Sequence, residues 1–552
     1  MLRTVRSVTR PASARRCGDA AARQAARHAD GLGLRLGLGL GLGPGPGPGP
    51  GLAVPTQPKP AAIVDGLGAH AALNVSTLRH ANLHANLHVN LHVNSHPSPQ
   101  PVIPQTVTPR LFTLAWPLFL ELLLGIGVGV VGTALAARLS DVSGAAFALA
   151  NLVAGTLFIL FRVVGSGVGV VVTQALGAGR RDSAHALACA ALGASTWVGG
   201  LCATLALVGA APLMRLLNAP LEVLPLAQPL LQWLAPAMLL DAWNASMASV
   251  MRAHLRSRDT LLVMVLMHST HLALALPLMG GVGTWPGLGL AGFALALVVA
   301  RTLALLLHLL LWRERLDLMP MAADWWRLRR HELAAMAHIG LPGAAENIAY
   351  RLCFMVSVAV AGLLGAQALA TQAYAQQIIQ LVLLFGLATG LSVEIVVGHL
   401  IGAGQLHAAH TLVRRALARG LAVSVGVATL AALSGPWLLR LFTADVAIIS
   451  AATTLLWWTV LLEPGRTFNL VLINALRAAG DARYPVLAGA ASMLLVLGGG
   501  SWLLGVELGL GLVGVWIAYA ADEWLRGLLM WRRWARLQWV PHARASRRRV
   551  AA

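Results

Sequence analysis

"WPLFLE" (Trp116–Glu121) and "LPGAAE" (Leu341–Glu346) each hold a proline followed four positions later by a glutamate, and the numbers of the two prolines differ by 342 − 117 = 225. The same offset carries Gly177-Ala178-Gly179 onto Gly402-Ala403-Gly404 and Met214–Ala219 onto Leu439–Ala444. It also pairs Trp233 with Trp458, Asn244 with Asn469, Arg252 with Arg477 and Arg258 with Arg483. One ungapped offset over more than half of each copy marks an internal duplication.

The duplicated unit is a set of membrane spans. Of 552 residues, 57% are hydrophobic and only 11% charged, with a mean hydropathy of +0.71, too apolar for a water-soluble chain of this length. The net charge of +20 does not point to nucleic acid, because the arginines fall between apolar runs and in the tails rather than on one face. Glu121 is the only charge between Arg110 and Arg138, Arg162 between Asp141 and Arg180, and Asp241 between Glu222 and Arg252. Each of these runs exceeds the roughly 20 residues that a membrane helix needs. The rule predicts about six helices before the basic segment "WRERLDLMPMAADWWRLRRHE" and about six after it. With an even number of spans per copy, both copies enter the membrane in the same direction. The expected fold is therefore all-α, two six-helix lobes related by a pseudo-twofold axis along the membrane normal, with a cleft between them.

The expected boundaries are an N-lobe over residues 108–325, a C-lobe over 326–540 and a basic tail over 541–552. Residues 1–107 read as a low-complexity, disordered segment: "GLGLRLGLGLGLGPGPGPGPG" and "HANLHANLHVNLHVN" cannot build a packed core. Histidines at every fourth position from His80 to His96 could face a metal on a helix, but a repeat expansion is the simpler reading, and no metal site is assigned. The four cysteines have no CxxC spacing. Segments after the even-numbered spans carry Arg180, Arg181, Arg252, Arg256, Arg258, Arg414, Arg415, Arg419, Arg477 and Arg483, whereas the opposite loops offer Arg138, Arg215 and Arg440. By the positive-inside rule both termini are cytoplasmic.

Charges at membrane depth mark the candidate site, since each costs a few kcal/mol unless it meets a cavity or a partner. Glu463 and Arg466 in "LLEPGRTFN" share a helix face, and Pro464 between them is expected to break the hydrogen-bond ladder, as Pro236 does near the equivalent place in span four. Because 466 − 225 = 241, Arg466 corresponds to Asp241, which raises the prospect of the two meeting across the axis. Glu121 and Glu346 are a matched pair able to carry a proton, or else hydrogen bonds that hold each lobe together, with Arg162, Arg301 and Arg351 as the expected counter-charges. Asp522, Glu523 and Arg526 read as a structural group at helical spacing, and His268 and His271 as packing or a relay. No P-loop, HExxH or nucleophile elbow is present, so no enzyme is expected.

"VVTQALGAGRRDSA", "IGLPGAAENIAY", "VVGHLIGAGQLHAA" and above all "EPGRTFNLVLINALRAAGDARYP" resemble the multidrug and toxic compound extrusion (MATE) transporters, over about Thr108 to Trp539. The resemblance implies a monomeric secondary antiporter without cofactor, exporting organic, often cationic, compounds across the plasma (inner) membrane in exchange for H+ or Na+. It departs from the family near the end of span one, where Thr133 stands in place of an acid. The alternatives are a flippase for lipids or lipid-linked oligosaccharides, for which a more strongly cationic cleft is expected, and a membrane-embedded acyltransferase, against which the full-length duplication argues.

Overall fold

The computed structural model describes residues 111–551 apart from residue 218, so the reading of 1–107 as disordered lies outside the described residues. The described chain is helical almost throughout. The N-terminal half comprises α1 (Leu111–Leu139), α2 (Asp141–Gly177), α3 (Arg181–Val208), the short α4 (Ala210–Leu216), α5 (Leu224–Trp233), α6 (Ala235–Ala253), α7 (Ser257–Gly280) and α8 (Leu290–Leu316). The C-terminal half comprises α9 (Arg330–Leu363), α10 (Ala366–Gly402), α11 (Leu406–Leu439), α12 (Val446–Ala478), α13 (Arg483–Glu507), α14 (Gly511–Ala535) and α15 (Val540–Ala551).

Ten of these helices are long and apolar enough to cross a membrane by themselves. The other two spans fall short for local reasons. Span four runs as α5 and α6, which meet at Leu234 with Pro236 in the first turn of α6, where a missing N–H is harmless. Span twelve, α14, is interrupted by Asp522, Glu523, Arg526, Arg532 and Arg533. The result is twelve spans in two lobes. Pro464 behaves differently from the expectation, because α12 continues through it without a break. Proline removes the ladder bond to the carbonyl four residues back, that of Val460, and α14 packs against the same turn: the Trp524 indole donates to the adjacent Leu461 carbonyl at 2.9 Å. Gly465 makes room for that indole, since a methyl there would run into the Trp524 ring. The run Pro464-Gly465 is thus a helix-packing device. α13 contains π-helical turns over Met493–Gly499 and Leu503–Glu507.

The duplication is visible in how the halves touch. "QALGAG" ends α2 and "HLIGAG" ends α10; Gly179 and Gly404 take the left-handed cap at φ +73° and +77°. A methyl on Gly177 would collide with the carbonyl of His399, and a methyl on Gly402 with the carbonyl of Gln174. Because 177 + 225 = 402 and 174 + 225 = 399, each half makes on the other the contact that it receives, as a twofold interface requires. α2 also crosses α9 closely, Gly340 against the Val163 carbonyl and Gly167 against that of Met336. These close approaches lie toward the end of the bundle that carries the arginine-rich turns. Away from it the side of α2 that faces α9 opens: Leu152, eleven residues and so about three turns before Val163, is 53% exposed.

Since two backbones meet at Gly402, Gly402→Ala overpacks the crossing and is expected to cost about 1–3 kcal/mol, lowering the melting temperature in detergent. Gly200→Ala, on a helix face with nothing within 4 Å, serves as control and should match the parent. Equal melting of both variants would remove the α2–α10 crossing as a determinant of stability.

Candidate functional site

Five charged side chains meet at mid-depth in the C-terminal half. Glu463 lies close to the middle of α12, which runs Val446–Ala478, and Glu523 at the middle of α14, which runs Gly511–Ala535. Helical spacing puts Glu463, Arg466 and Asn469 on the α12 face toward α14, and Asp522, Glu523 and Arg526 on the facing side of α14. The Arg466 guanidinium donates to Glu463 Oε1 at 2.6 Å and to Glu523 Oε1 at 3.3 Å. Arg526 reaches Asp522 Oδ2 at 2.7 Å and Glu523 Oε1 at 2.8 Å. Asn469 donates to Glu523 Oε2 at 2.8 Å, and Ser492 of α13 donates to Asp522 Oδ1 at 2.6 Å. All five charged residues are at most 5% exposed. The Tyr350 ring of α9 lies 6.0 Å below the Arg526 guanidinium.

The five groups form one network rather than two separate pairs. With every group ionised it holds three carboxylates against two guanidiniums. The acids are not equally held: Glu523 accepts from Arg466 and Asn469 and pairs with Arg526, and Asp522 accepts from Arg526 and Ser492, while Glu463 has Arg466 alone.

The N-terminal half keeps a one-to-one balance at the equivalent place. Asp241 of α6 pairs with Arg301 of α8 at 2.5 Å. The prospect of Asp241 meeting Arg466 across the axis is thereby corrected: each finds its partner inside its own half, because the neighbouring helix offers an opposite charge at the same depth. Asn244, the counterpart of Asn469, donates to the Arg301 carbonyl at 3.0 Å and meets His308 Nδ1 through its own oxygen at 3.0 Å. His268 and His271 are buried on α7, the latter edge-on to Phe293 at 4.7 Å. Thr133 turns its hydroxyl back onto the Gly129 carbonyl of its own helix at 3.0 Å.

Glu121 and Glu346 belong to a different layer, nearer the arginine-rich turns. Glu121 pairs with Arg252 at 3.2 Å and Glu346 with Arg477 at 2.6 Å. This corrects the expected counter-charges: Arg301 is taken by Asp241, Arg351 forms no ion pair among the described residues, and the side chain of Arg162 is not among those described. The physical reason is direction. α1 and α9 leave the arginine-rich face while α6 and α12 return to it, so an acid early in one meets an arginine late in the other. The signal is present in the sequence, since 252 − 121 and 477 − 346 both equal 131 and the offset of 225 relates whole pairs as well as single residues.

Beside these pairs the halves exchange two neutral hydrogen bonds. Gln174 Nε2 donates to the Ala478 carbonyl at 2.7 Å, and His399 Nε2 donates to the Ala253 carbonyl at 2.8 Å. Donors and acceptors are again related by the 225 offset, a reciprocity that a reading of single residues misses. α15 lies over the same junction: the Ser546 hydroxyl donates to Gln174 Oε1 at 2.7 Å. In the turn after α6, burial pushes His254 down to about 4, so it is neutral near pH 7 and donates Nδ1–H to the Val250 carbonyl at 2.9 Å.

Comparison with known proteins agrees with this architecture. The family model described as MatE matches residues 117–276 and 342–500, two blocks whose starts are related by the same offset, 342 − 117 = 225. The uncharacterized transporter YisQ of Bacillus subtilis is 31% identical, over 79% of this chain and 96% of its own length. The probable multidrug resistance protein NorM of Bradyrhizobium diazoefficiens is 30% identical, over 76% of this chain and 91% of its own. Among solved structures, the Vibrio cholerae MATE transporter VcmN in its bent form has the same fold at TM-score 0.70 and 20% identity, over 80% of this chain and 97% of that one.

Arg477→Met strands the buried Glu346 carboxylate and is expected to cost about 3–5 kcal/mol. Adding Glu346→Gln removes the stranded charge, so the double variant should recover most of the lost thermal stability. Arg252 is 25% exposed against 15% for Arg477, so Arg252→Met should cost less. A double variant that melts no higher than Arg477→Met would show that Glu346 is not the partner that matters.

Proposed function

The chain belongs to the MATE family of membrane transporters, and on that premise we propose that it is an H+-coupled antiporter that expels lipophilic organic cations. The observation that carries this reading is the charge balance at mid-depth: three carboxylates to two guanidiniums on α12 and α14, buried to 5% exposure or less. A net negative charge held in a low-dielectric environment is costly, and one proton removes it.

Glu463 is the acid that takes the proton, because it has the fewest donors to stabilise its ionised form. A sodium ion is the less suitable counter-charge. It needs several oxygens, and the carboxylates here already face guanidiniums, Arg466 at 2.6 Å from Glu463 Oε1 among them, whose positive charge repels a second cation. In the proposed cycle the protonated cluster is neutral and closed. Hydration of the cleft or arrival of a cationic substrate favours the ionised form, so the proton leaves as the substrate binds, and reprotonation expels the substrate. The arginine-rich turns then face the cytoplasm of a plasma (inner) membrane, both termini lie on that side, residues 108–325 and 326–540 move as the two lobes of a monomer, and residues 1–107 take no part in transport.

The test is uphill transport by the purified chain in liposomes under an imposed pH gradient. Glu463→Gln keeps the shape and removes the titration, so accumulation of a cationic dye against its gradient should fall to the level of passive leak while the protein stays folded. Asp522→Asn leaves two carboxylates against two guanidiniums, so it too should lose most of its coupling to the pH gradient, whereas Ser492→Ala, which keeps every charge of the network, should keep at least half of the parent's uphill rate. Should Glu463→Gln pump like the parent, or pumping follow a sodium gradient and ignore the pH gradient, the proposed coupling is wrong.

A further inference from the structure

The structure leaves one membrane-depth cation without an ion-pair partner among the described residues: Arg351 of α9. It sits well inside the helix, which runs Arg330–Leu363, and so within the apolar zone, and yet it is exposed. A guanidinium at that depth does not face lipid tails. Its direction follows from the helix. Gly340 touches the Val163 carbonyl of α2, and Arg351 follows it by about three helical turns, which bring it back to within about 20° of that face, about 16 Å along the axis. Arg351 therefore stands on the side of α9 that looks toward the other lobe.

Along that face burial falls away steadily. Met336 is 3% exposed, Gly340 is buried, Ala344 is 8% exposed, Asn347 half-buried, Arg351 exposed and Met355 66% exposed. The opposite face of α2 opens in step, from buried Gly167 to exposed Thr156 and Leu152. Arg351 is thus on the wall of the cleft, above the point where the lobes part. Every other mid-depth arginine whose side chain is described is committed: Arg301 to Asp241, Arg466 to Glu463 and Glu523, Arg526 to Asp522 and Glu523.

We propose that Arg351 is a specificity-determining residue that binds an anionic oxygen group, carboxylate or phosphate, on the substrate, so that the transporter takes zwitterionic compounds in preference to simple cations. A planar guanidinium pairs with two oxygens of such a group, and in the cleft the pair is only partly screened by water. This rests on the export reading above and narrows its substrate class.

A matched dye pair tests it: a rhodamine zwitterion with a free carboxylate, and its methyl ester, a cation that differs only in the blocked carboxylate. Transport of each is measured in liposomes under a pH gradient, and binding of each to the full chain in nanodiscs is measured by fluorescence anisotropy. The parent should bind the zwitterion more tightly. Arg351→Gln should raise KM and Kd for the zwitterion at least about tenfold, the scale of one charge-assisted hydrogen bond, and leave those for the ester within about twofold. Arg351→Lys, which keeps the charge but not the fork, should recover part of the loss. Equal values for both dyes in parent and Arg351→Gln, or equal losses for both dyes in a variant that melts like the parent, overturn the proposal. If the parent pumps neither dye the export reading fails, while the anisotropy titrations still decide for or against Arg351.

Discussion

Lipid offers no hydrogen-bond partner, so a charge that this chain carries to mid-depth must either be answered by another side chain at the same height or, as Arg351 does, stand on the wall of the cleft. That constraint organises the structure. Asp241 is answered by Arg301, and the Glu463–Arg466–Glu523–Arg526–Asp522 network closes on itself between α12 and α14. In each case the partner comes from the same lobe. Breaking a buried pair costs about 3–5 kcal/mol, so these contacts make each six-helix lobe a stiff unit.

The joins between lobes are of another kind. Two neutral hydrogen bonds, Gln174 to Ala478 and His399 to Ala253, and backbone approaches at Gly177 and Gly402 hold the halves at the arginine-rich end. A neutral hydrogen bond contributes only about 1 kcal/mol net, and water can replace it once the lobes separate. α15 adds a further bond through Ser546. Strong contacts within lobes and exchangeable ones between them are what alternating access by rocking of two rigid bodies requires. Glycine at the crossing serves the same end, because two backbones in van der Waals contact part without leaving an unpaired side chain behind.

Much of this is legible in the residues. The offset of 225, the apolar run lengths and the arginine turns lead to two six-helix lobes, because hydropathy and periodicity are properties of single segments. Partners are harder to read. Arg252 and Arg477 are recognisable as equivalent, but they lie at the ends of their helices, and sequence alone does not say how far a guanidinium reaches back along a neighbouring span. Pro464 illustrates the opposite limit. Its local effect is to remove a ladder bond, and only the packing of α14 shows that Trp524 donates to a carbonyl of the same turn and that Gly465 admits the indole. The hydrogen bonds of Gln174 and His399 are hidden in the sequence because a glutamine and a histidine near the end of a span look ordinary until each is seen to face the equivalent carbonyl of the other half.

The two copies have diverged in one place and stayed alike in another, and the geometry explains which. At the axis Gly177 and Gly402 are identical because each meets a backbone carbonyl that leaves no room for a methyl, whereas Gln174 and His399 differ and yet both donate a hydrogen bond to a carbonyl of the other half. The mid-depth clusters lie within the lobes. Arg301 and Arg526 are the same residue, but Asp241 has become Arg466. Two arginines at these positions demand at least two acids, and since the acid of the N-lobe position is gone, they must come from new places. Those places are Glu463, Asp522 and Glu523, whose counterparts in the first copy, Met238, Leu297 and Val298, carry no charge. The third acid is the excess. One lobe thus holds charges that cancel, and the other, with the opposite sign at the position of Asp241 and three acids where the first copy has none, holds charges that do not.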